Sequence, residues 1–386
     1  MSNAPIYLDN AATTPVRDEV FEAMRPFFGP KFGNPSSTHR FGREARVALD
    51  EARERVAACL GANPDEVSFN SCGTEGDNTA VLCMWRAMRA SGRNAVVTSP
   101  IEHKAVLAAA HEVAHEGGDE RLVQVDCNGV VHPESFASLV DDNVAVASIM
   151  WVNNETGVVQ DIPALARQAK GCGVAFHTDA VQAFGKIHID ARTQPFDLLS
   201  ISGHKIGAPK GIGALYIRRG TAFEPLIRGG AQDRGRRAGT ENVAYVVALA
   251  TAAELAVAER EQHWAETERL RDLLQAMLLA AIPDVVVHSA GARRAPHILN
   301  VSVPGTDNES LLMALDLRGI ACSGGSACQS GSVAPSHVLE AMGVDRSLAG
   351  AAIRMSFGHI NTDADVARVA EVFPKLVEKA RASAVA

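Results

Sequence analysis

From about residue 60 to residue 220 the chain alternates short apolar runs with segments of helical periodicity, an order that few folds accommodate. The runs AVVTSP (95–100), VAVASIMWV (144–152), GVAFHTDA (173–180) and DLLSISG (197–203) read as strands. Segments between them, such as IPALARQAKGCG (162–173), read as helices ending at glycine. Strands apolar along their whole length are buried on both faces, so the alternation predicts an α/β fold with a mostly parallel central sheet covered by helices. After a long helical stretch around 242–280 the pattern changes. Strands VVVHSA (285–290) and HILNVSVPG (297–305), helix ESLLMALDLRG (309–319) and a last helix from about 362 predict a smaller α/β domain. The expected division is a large domain over 16–260 and a small one formed by 1–15 with 261–386.

Bulk properties narrow the function classes. A length of 386 residues with 47% hydrophobic content suits two domains with sizeable cores. The net charge of −8 argues against nucleic acid as a partner, and the basic cluster RGRRAG (234–239) reads as a local anion site. VAYVVALATAAELAVA (243–258) is shorter than a membrane span and carries Glu254, so it predicts a core helix and no membrane. Seven cysteines at irregular spacing, without a CxxC pair, form no disulfide framework. With no basic, apolar secretory start, the expected location is the cytoplasm, where thiols stay reduced.

In open α/β sheets ligands gather at the carboxyl ends of strands. Thr74, His103, Asn154, Asp179, and Ser202 with His204 and Lys205, each follow a strand-like run. Taken singly each has a bland reading: Lys205 as a solvated turn lysine, Asp179 and Thr74 as helix N-caps, His103 as a helix-start histidine bonded to backbone. Together they match one chemistry. A desolvated lysine forms a Schiff base with a carbonyl cofactor, an acid holds a proton on a pyridine nitrogen, and GTEGDN (73–78) opens a helix whose amides suit a phosphate.

A further stretch, ACSGGSACQSG (321–331), sets two cysteines among Gly, Ser and Ala. It has little apolar surface to pack and much backbone entropy to lose, and so reads as a mobile arm over about 321–333.

These motifs resemble the NifS/IscS-type cysteine desulfurases, in the class-V aminotransferase group of fold-type-I pyridoxal-phosphate enzymes. The likeness spans the chain through YLDNAATTP (7–15), FGNPSSTH (32–39), SCGTEGDN (71–78), IEHKAV (101–106), VNNETGVVQDI (152–162), HTDAVQAFGK (177–186), SISGHK (200–205), RGGAQDRGRRAGTEN (228–242), SGGSAC (323–328) and IRMSFG (353–358). The resemblance implies pyridoxal 5'-phosphate as cofactor, with Lys205 as the Schiff-base lysine, Asp179 on the pyridine nitrogen, Gln182 on the phenolic oxygen and His103 stacked on the ring. Gly73, Thr74, Ser202 and His204 would hold the phosphate, and Thr240 would reach the neighbouring active site in a homodimer. Asn154 and Arg354 would hold the carboxylate of L-cysteine, with Lys205 and His103 as acid–base groups and no metal. Cys328 would take the sulfur as a persulfide for an acceptor protein, such as an iron–sulfur scaffold.

The match has departures. Cys72, Gly73 and Gly76 replace the usual Gly, Ala and Ser of the phosphate segment, and His359 stands where Arg is common. Cys322, six residues before Cys328, reads as a strand-end residue or as a second thiol sharing the persulfide. The ending VEKARASAVA, without the tail with which IscS-type members dock their scaffold, favours a NifS-like or specialised member. A selenocysteine lyase or another class-V enzyme is the near alternative, although a transaminase needs no thiol arm. HEVAH (111–115) matches the HExxH zinc-peptidase pattern, but it runs into Gly117-Gly118 beside acids and reads as a solvated helix end.

Overall fold

The computed structural model describes residues 5–324 and 335–385. In chain order the strands are Ile6–Tyr7 (β1), Val67–Asn70 (β2), Ala95–Thr98 (β3), Asp119–Leu122 (β4), Val144–Ser148 (β5), Ala175–Asp179 (β6) and Leu198–Ser202 (β7). Gly213–Ile217 (β8), Val286–Val287 (β9), Ile298–Ser302 (β10), Ile320–Ala321 (β11) and Ala352–Ser356 (β12) complete the set among the described residues. Seven strands form the large sheet in the order β2-β8-β7-β6-β5-β3-β4. The pairs β2–β8 and β7–β8 are antiparallel and the other four are parallel. Two reversals cancel, so β2 runs in the direction of β7, and the carboxyl ends of β2, β3, β5, β6 and β7 share one edge.

Burial follows position in the sheet. Every residue of β2, β3, β5, β7 and β8 is buried, which is why these runs read as unbroken apolar segments. The outermost strand, β4, has the sequence DERL and no fully buried residue, as an edge open to water allows. Helix Arg40–Leu60 buries Ala45, Leu49, Ala52, Val56 and Leu60, a stripe at three- to four-residue spacing. It packs on Val243–Ala258, the helix apolar on nearly all sides and buried against the large-sheet core.

A three-stranded antiparallel sheet, β12-β10-β9, lies over its own apolar cluster, which includes Leu270, Leu274, Leu299, Ile353, Phe357 and Phe373. Ile6 and Leu8 belong to the same cluster, and β1 pairs in parallel with β11. No helix of the described residues is long and apolar enough to cross a membrane.

One expectation needs correction. The helix expected after Asp179 is absent: residues 181–186 form consecutive turns. Asp179 Oδ1 accepts the Val181 amide at 2.8 Å, and Gly185 takes φ +76°, so the chain folds back instead of propagating a helix. The long helical stretch around 242–280 consists of two helices, Val243–Ala258 and Arg260–Ala281.

Candidate active site

The shared edge of the large sheet opens into a cavity of about 240 Å³. Of the residues singled out from sequence, Gly73, Thr74, His103, Asn154, Asp179, Gln182, Ser202, His204, Lys205 and Arg354 all line it. Thr240 does not; it is exposed and outside this cavity. Cys328 and most of the 321–333 arm lie outside the described residues.

Lys205 ends a single tight turn, Gly203–Lys205, that follows β7 directly. Its Nζ donates to the carbonyls of Ala11 (2.6 Å) and Ala12 (2.7 Å). Burial, helped by the nearby Arg354 and Lys186 charges, pushes the Lys205 amine down to about 7. A large share of the side chain is therefore the free amine at neutral pH, the form that attacks a carbonyl.

Asp179 closes β6 and is 5% exposed. One carboxylate oxygen is held by the Val181 amide, and burial pushes the acid up from its ordinary range. A cationic ring nitrogen facing it would supply the opposite charge that this burial lacks. His103 caps helix Lys104–His115 with Nδ1 accepting the Ala105 amide at 3.2 Å, which leaves Nε2 to carry the proton of a neutral ring. Burial holds its pKa below the usual value, so the neutral ring prevails. The bland cap and the cavity-facing ring are the same histidine.

At the start of helix Gly73–Asn78 a side chain on Gly73 would put Cβ 2.7 Å from Val181 Cγ2, so Val181 would have to shift to admit it. Gly76, a departure from the family pattern, has Ser200 Oγ and Asn70 Nδ2 where a Cβ would sit, at 2.9 and 3.0 Å. Glu75 accepts the Ser71 amide at 2.8 Å and Arg237 Nε at 3.1 Å, tying the turn to the 228–242 loop. Ser202 Oγ, buried beside Gly73, has no hydrogen-bond partner, as a hydroxyl awaiting a ligand oxygen would.

Arg354, 1% exposed on β12, donates Nη2 to Asp9 Oδ1 at 2.8 Å and Nη1 to the Asn154 carbonyl at 2.7 Å. Its Nε has no partner. Gln182 is engaged at both ends, donating to the Ala11 carbonyl at 2.8 Å and facing His297 Nε2 at 3.1 Å.

Several wall residues carried no readable signal. Asp77 lines the cavity 1% exposed, with Oδ1 unpartnered. Glu102, fully buried, accepts the Met150 amide at 2.9 and 3.0 Å and holds the turn before His103; burial pushes it up to about 8. Cys322 is half-buried, and its burial pushes the thiol up to about 12, which leaves it inert at neutral pH. At HEVAH, His111 Nδ1 sits 2.6 Å from Glu120 and His115 is exposed. The described residues contain no group of three or more His, Cys, Asp or Glu arranged to hold a metal.

A crossover sheet with lysine and aspartate at adjacent strand ends, closed by an arginine from a second sheet, is the fold of type-I pyridoxal-phosphate enzymes. Within that class the chain belongs to the class-V aminotransferase family, whose model matches residues 6–369. Its relatives include cysteine desulfurase NifS of Azotobacter vinelandii, 46% identical over 379 residues (98% of this chain, 94% of the relative). Cysteine desulfurase IscS of Dictyoglomus turgidum is 43% identical over 376 residues, covering 97% of this chain and 95% of that one. A solved NifS-like protein superposes with a TM-score of 0.91 at 37% identity, across 97% of this chain and 100% of its own.

Proposed function

We propose that this chain is a pyridoxal-phosphate-dependent cysteine desulfurase that converts L-cysteine to L-alanine and holds the sulfur as a persulfide on Cys328 for an acceptor protein. The observation that carries the reading is the Lys205 amine, lowered to about 7, sharing one buried cavity with Asp179. The names of the relatives support the substrate.

The cavity fits the cofactor on this chain's own terms. A side chain at Gly73 would crowd Val181, Ser202 Oγ lacks a partner, and Asp179 is a buried acid with one oxygen uncommitted. Gly73, Thr74, Ser202 and His204 would hold its phosphate, Lys205 its aldehyde carbon, and Asp179 its ring nitrogen, with Gln182 and His103 against the ring. When bound, pyridoxal phosphate supplies an electron sink for bond cleavage at the substrate α-carbon. Lys205, with its amine lowered to about 7, and the neutral His103 ring move protons there. Arg354 and Asn154 orient the substrate carboxylate. The Cys328 thiolate then bonds to the substrate sulfur as the carbon–sulfur bond breaks, the electron pair and a proton end on carbon, and alanine leaves.

Exposed aromatics support a homodimer: Phe21, Phe28, Phe32 and Phe41 are 54, 63, 68 and 49% exposed on the elements around residues 18–60. Thr240, exposed and outside its own cavity, is free to serve the neighbouring one. The separate apolar cluster of Ile6, Leu8 and residues beyond 269 supports a small domain of 1–15 with 261–386 beside a large domain of 16–260. An iron–sulfur scaffold is the proposed acceptor class.

The test is to load purified chain with cofactor, add L-cysteine and dithiothreitol, and quantify alanine and sulfide. Equimolar products lost in Lys205→Ala are expected. A visible cofactor band that persists covalently in Lys205→Ala would sink the assignment.

A further inference from the structure

Lys205 also lines a second cavity, of about 60 Å³, that Asp179 does not line. That volume has room for about four water molecules, or one compact ion. Its polar wall is basic. Lys186, His263, His297 and His359 face it together with Arg17, whose charge is met by Glu259 at 2.5 and 3.0 Å. Glu259 is the only carboxylate among the described residues lining it, and it is already used.

The remaining bases have no such answer. Among the described residues, no hydrogen bond or ion pair reaches the Lys186 amine or the His263 and His359 rings. His297 is 1% exposed, uses Nε2 on Gln182, and leaves Nδ1 without a partner. A buried imidazole nitrogen left without a partner is destabilising unless something enters to meet it. Burial and the neighbouring Lys186 charge both hold His263 and His297 below their ordinary range. This wall repels cations, and the described residues gather no metal-binding group there.

We propose that this smaller cavity is a second anion site, which takes a compact tetrahedral oxyanion of the size of sulfate or phosphate. Lys186 supplies the charge and His263 and His297 the hydrogen bonds, with exposed His359 at the rim. The occupant sits against Lys205, where its charge offsets the repulsion that Lys186 exerts on that amine. The site is separate from the phosphate cradle at Gly73 and does not depend on the desulfurase reading.

The test is calorimetric titration of the cofactor-loaded chain with sodium sulfate, and in parallel with sodium phosphate, at constant ionic strength. Saturable binding of one anion per chain is expected, weakened at least tenfold in Lys186→Met and several-fold in His263→Gln. The two salts distinguish which oxyanion fits better. Lys186→Met also shifts the Lys205 amine, so His263→Gln, whose side chain does not line the Asp179 cavity, is the variant in which cofactor band and turnover report separately on the proposed activity. Absence of saturable binding of either salt, or equal affinity in wild type and both variants, would overturn the proposal.

Discussion

Arg354 and Asp9 lie 2.8 Å apart, an ion pair between a buried arginine and a half-buried aspartate separated by 345 positions. With Nη2 on Asp9, Nη1 is fixed on the Asn154 carbonyl and Nε is left without a partner. Arg354→Lys should therefore raise KM for L-cysteine by about 10–100-fold, because a point charge replaces a planar fork. Asp9→Asn should raise KM less while lowering Tm. Steady-state kinetics and thermal melting measure both, and a KM unchanged in Arg354→Lys would remove this arginine from substrate binding.

Lys205 makes cofactor loading depend on pH. Its amine, depressed to about 7, is protonated below that value and free above it. The rate at which cofactor-free protein takes up pyridoxal phosphate should rise with pH through a midpoint near 7 and then level. One unit below the midpoint the rate should be about a tenth of the plateau. Lys186→Met removes a like charge and should move the midpoint upward. Stopped-flow absorbance across pH checks this, and a midpoint near that of an ordinary lysine would contradict it.

Gly73→Ala should loosen the cofactor. The added Cβ would meet Val181 Cγ2 at 2.7 Å, so the cradle must shift. Overpacking of this kind costs about 1–3 kcal/mol, and fluorescence titration should register a cofactor Kd at least tenfold weaker.

The two arm cysteines should behave oppositely. Cys328→Ala should abolish persulfide formation, lowering desulfuration by more than about a hundredfold, while the cofactor band stays. Cys322→Ala should retain most of the activity, since burial pushes that thiol up to about 12. Mass spectrometry of trapped persulfide distinguishes them.

Glu102 gives a stability signature. Burial raises its pKa to about 8, above the unfolded value of 4.5, so between those values the folded state binds the extra proton. Stability from this group is complete below the lower value and falls as pH rises toward 8. Urea unfolding at pH 5 and pH 8 should show a smaller difference in Glu102→Gln than in the parent chain.

The sheet and the strand-end residues were legible because both rest on local pattern. Buried parallel strands must be apolar, and the polar residue that ends each one stands out. The walls made at a distance were not. Ala11 and Ala12 contribute only carbonyl oxygens, which carry no side-chain signal, and Asp9 meets Arg354 across nearly the whole chain. The residues after Asp179 have helical composition, but the local bond from Asp179 to the Val181 amide outcompetes the helix there. His297, which precedes β10, joins the cavity that Lys205 lines only when the small sheet folds against the large one.

The carbonyls that hold the Lys205 amine have a consequence for timing. Once that amine is committed elsewhere, Ala11 and Ala12 each lose a donor. A few residues earlier the same segment pairs with Ile320 and Ala321, the last strand before the arm that carries Cys328. One stretch of backbone thus records the state of the lysine at one end and pairs at the other with the strand Ile320–Ala321.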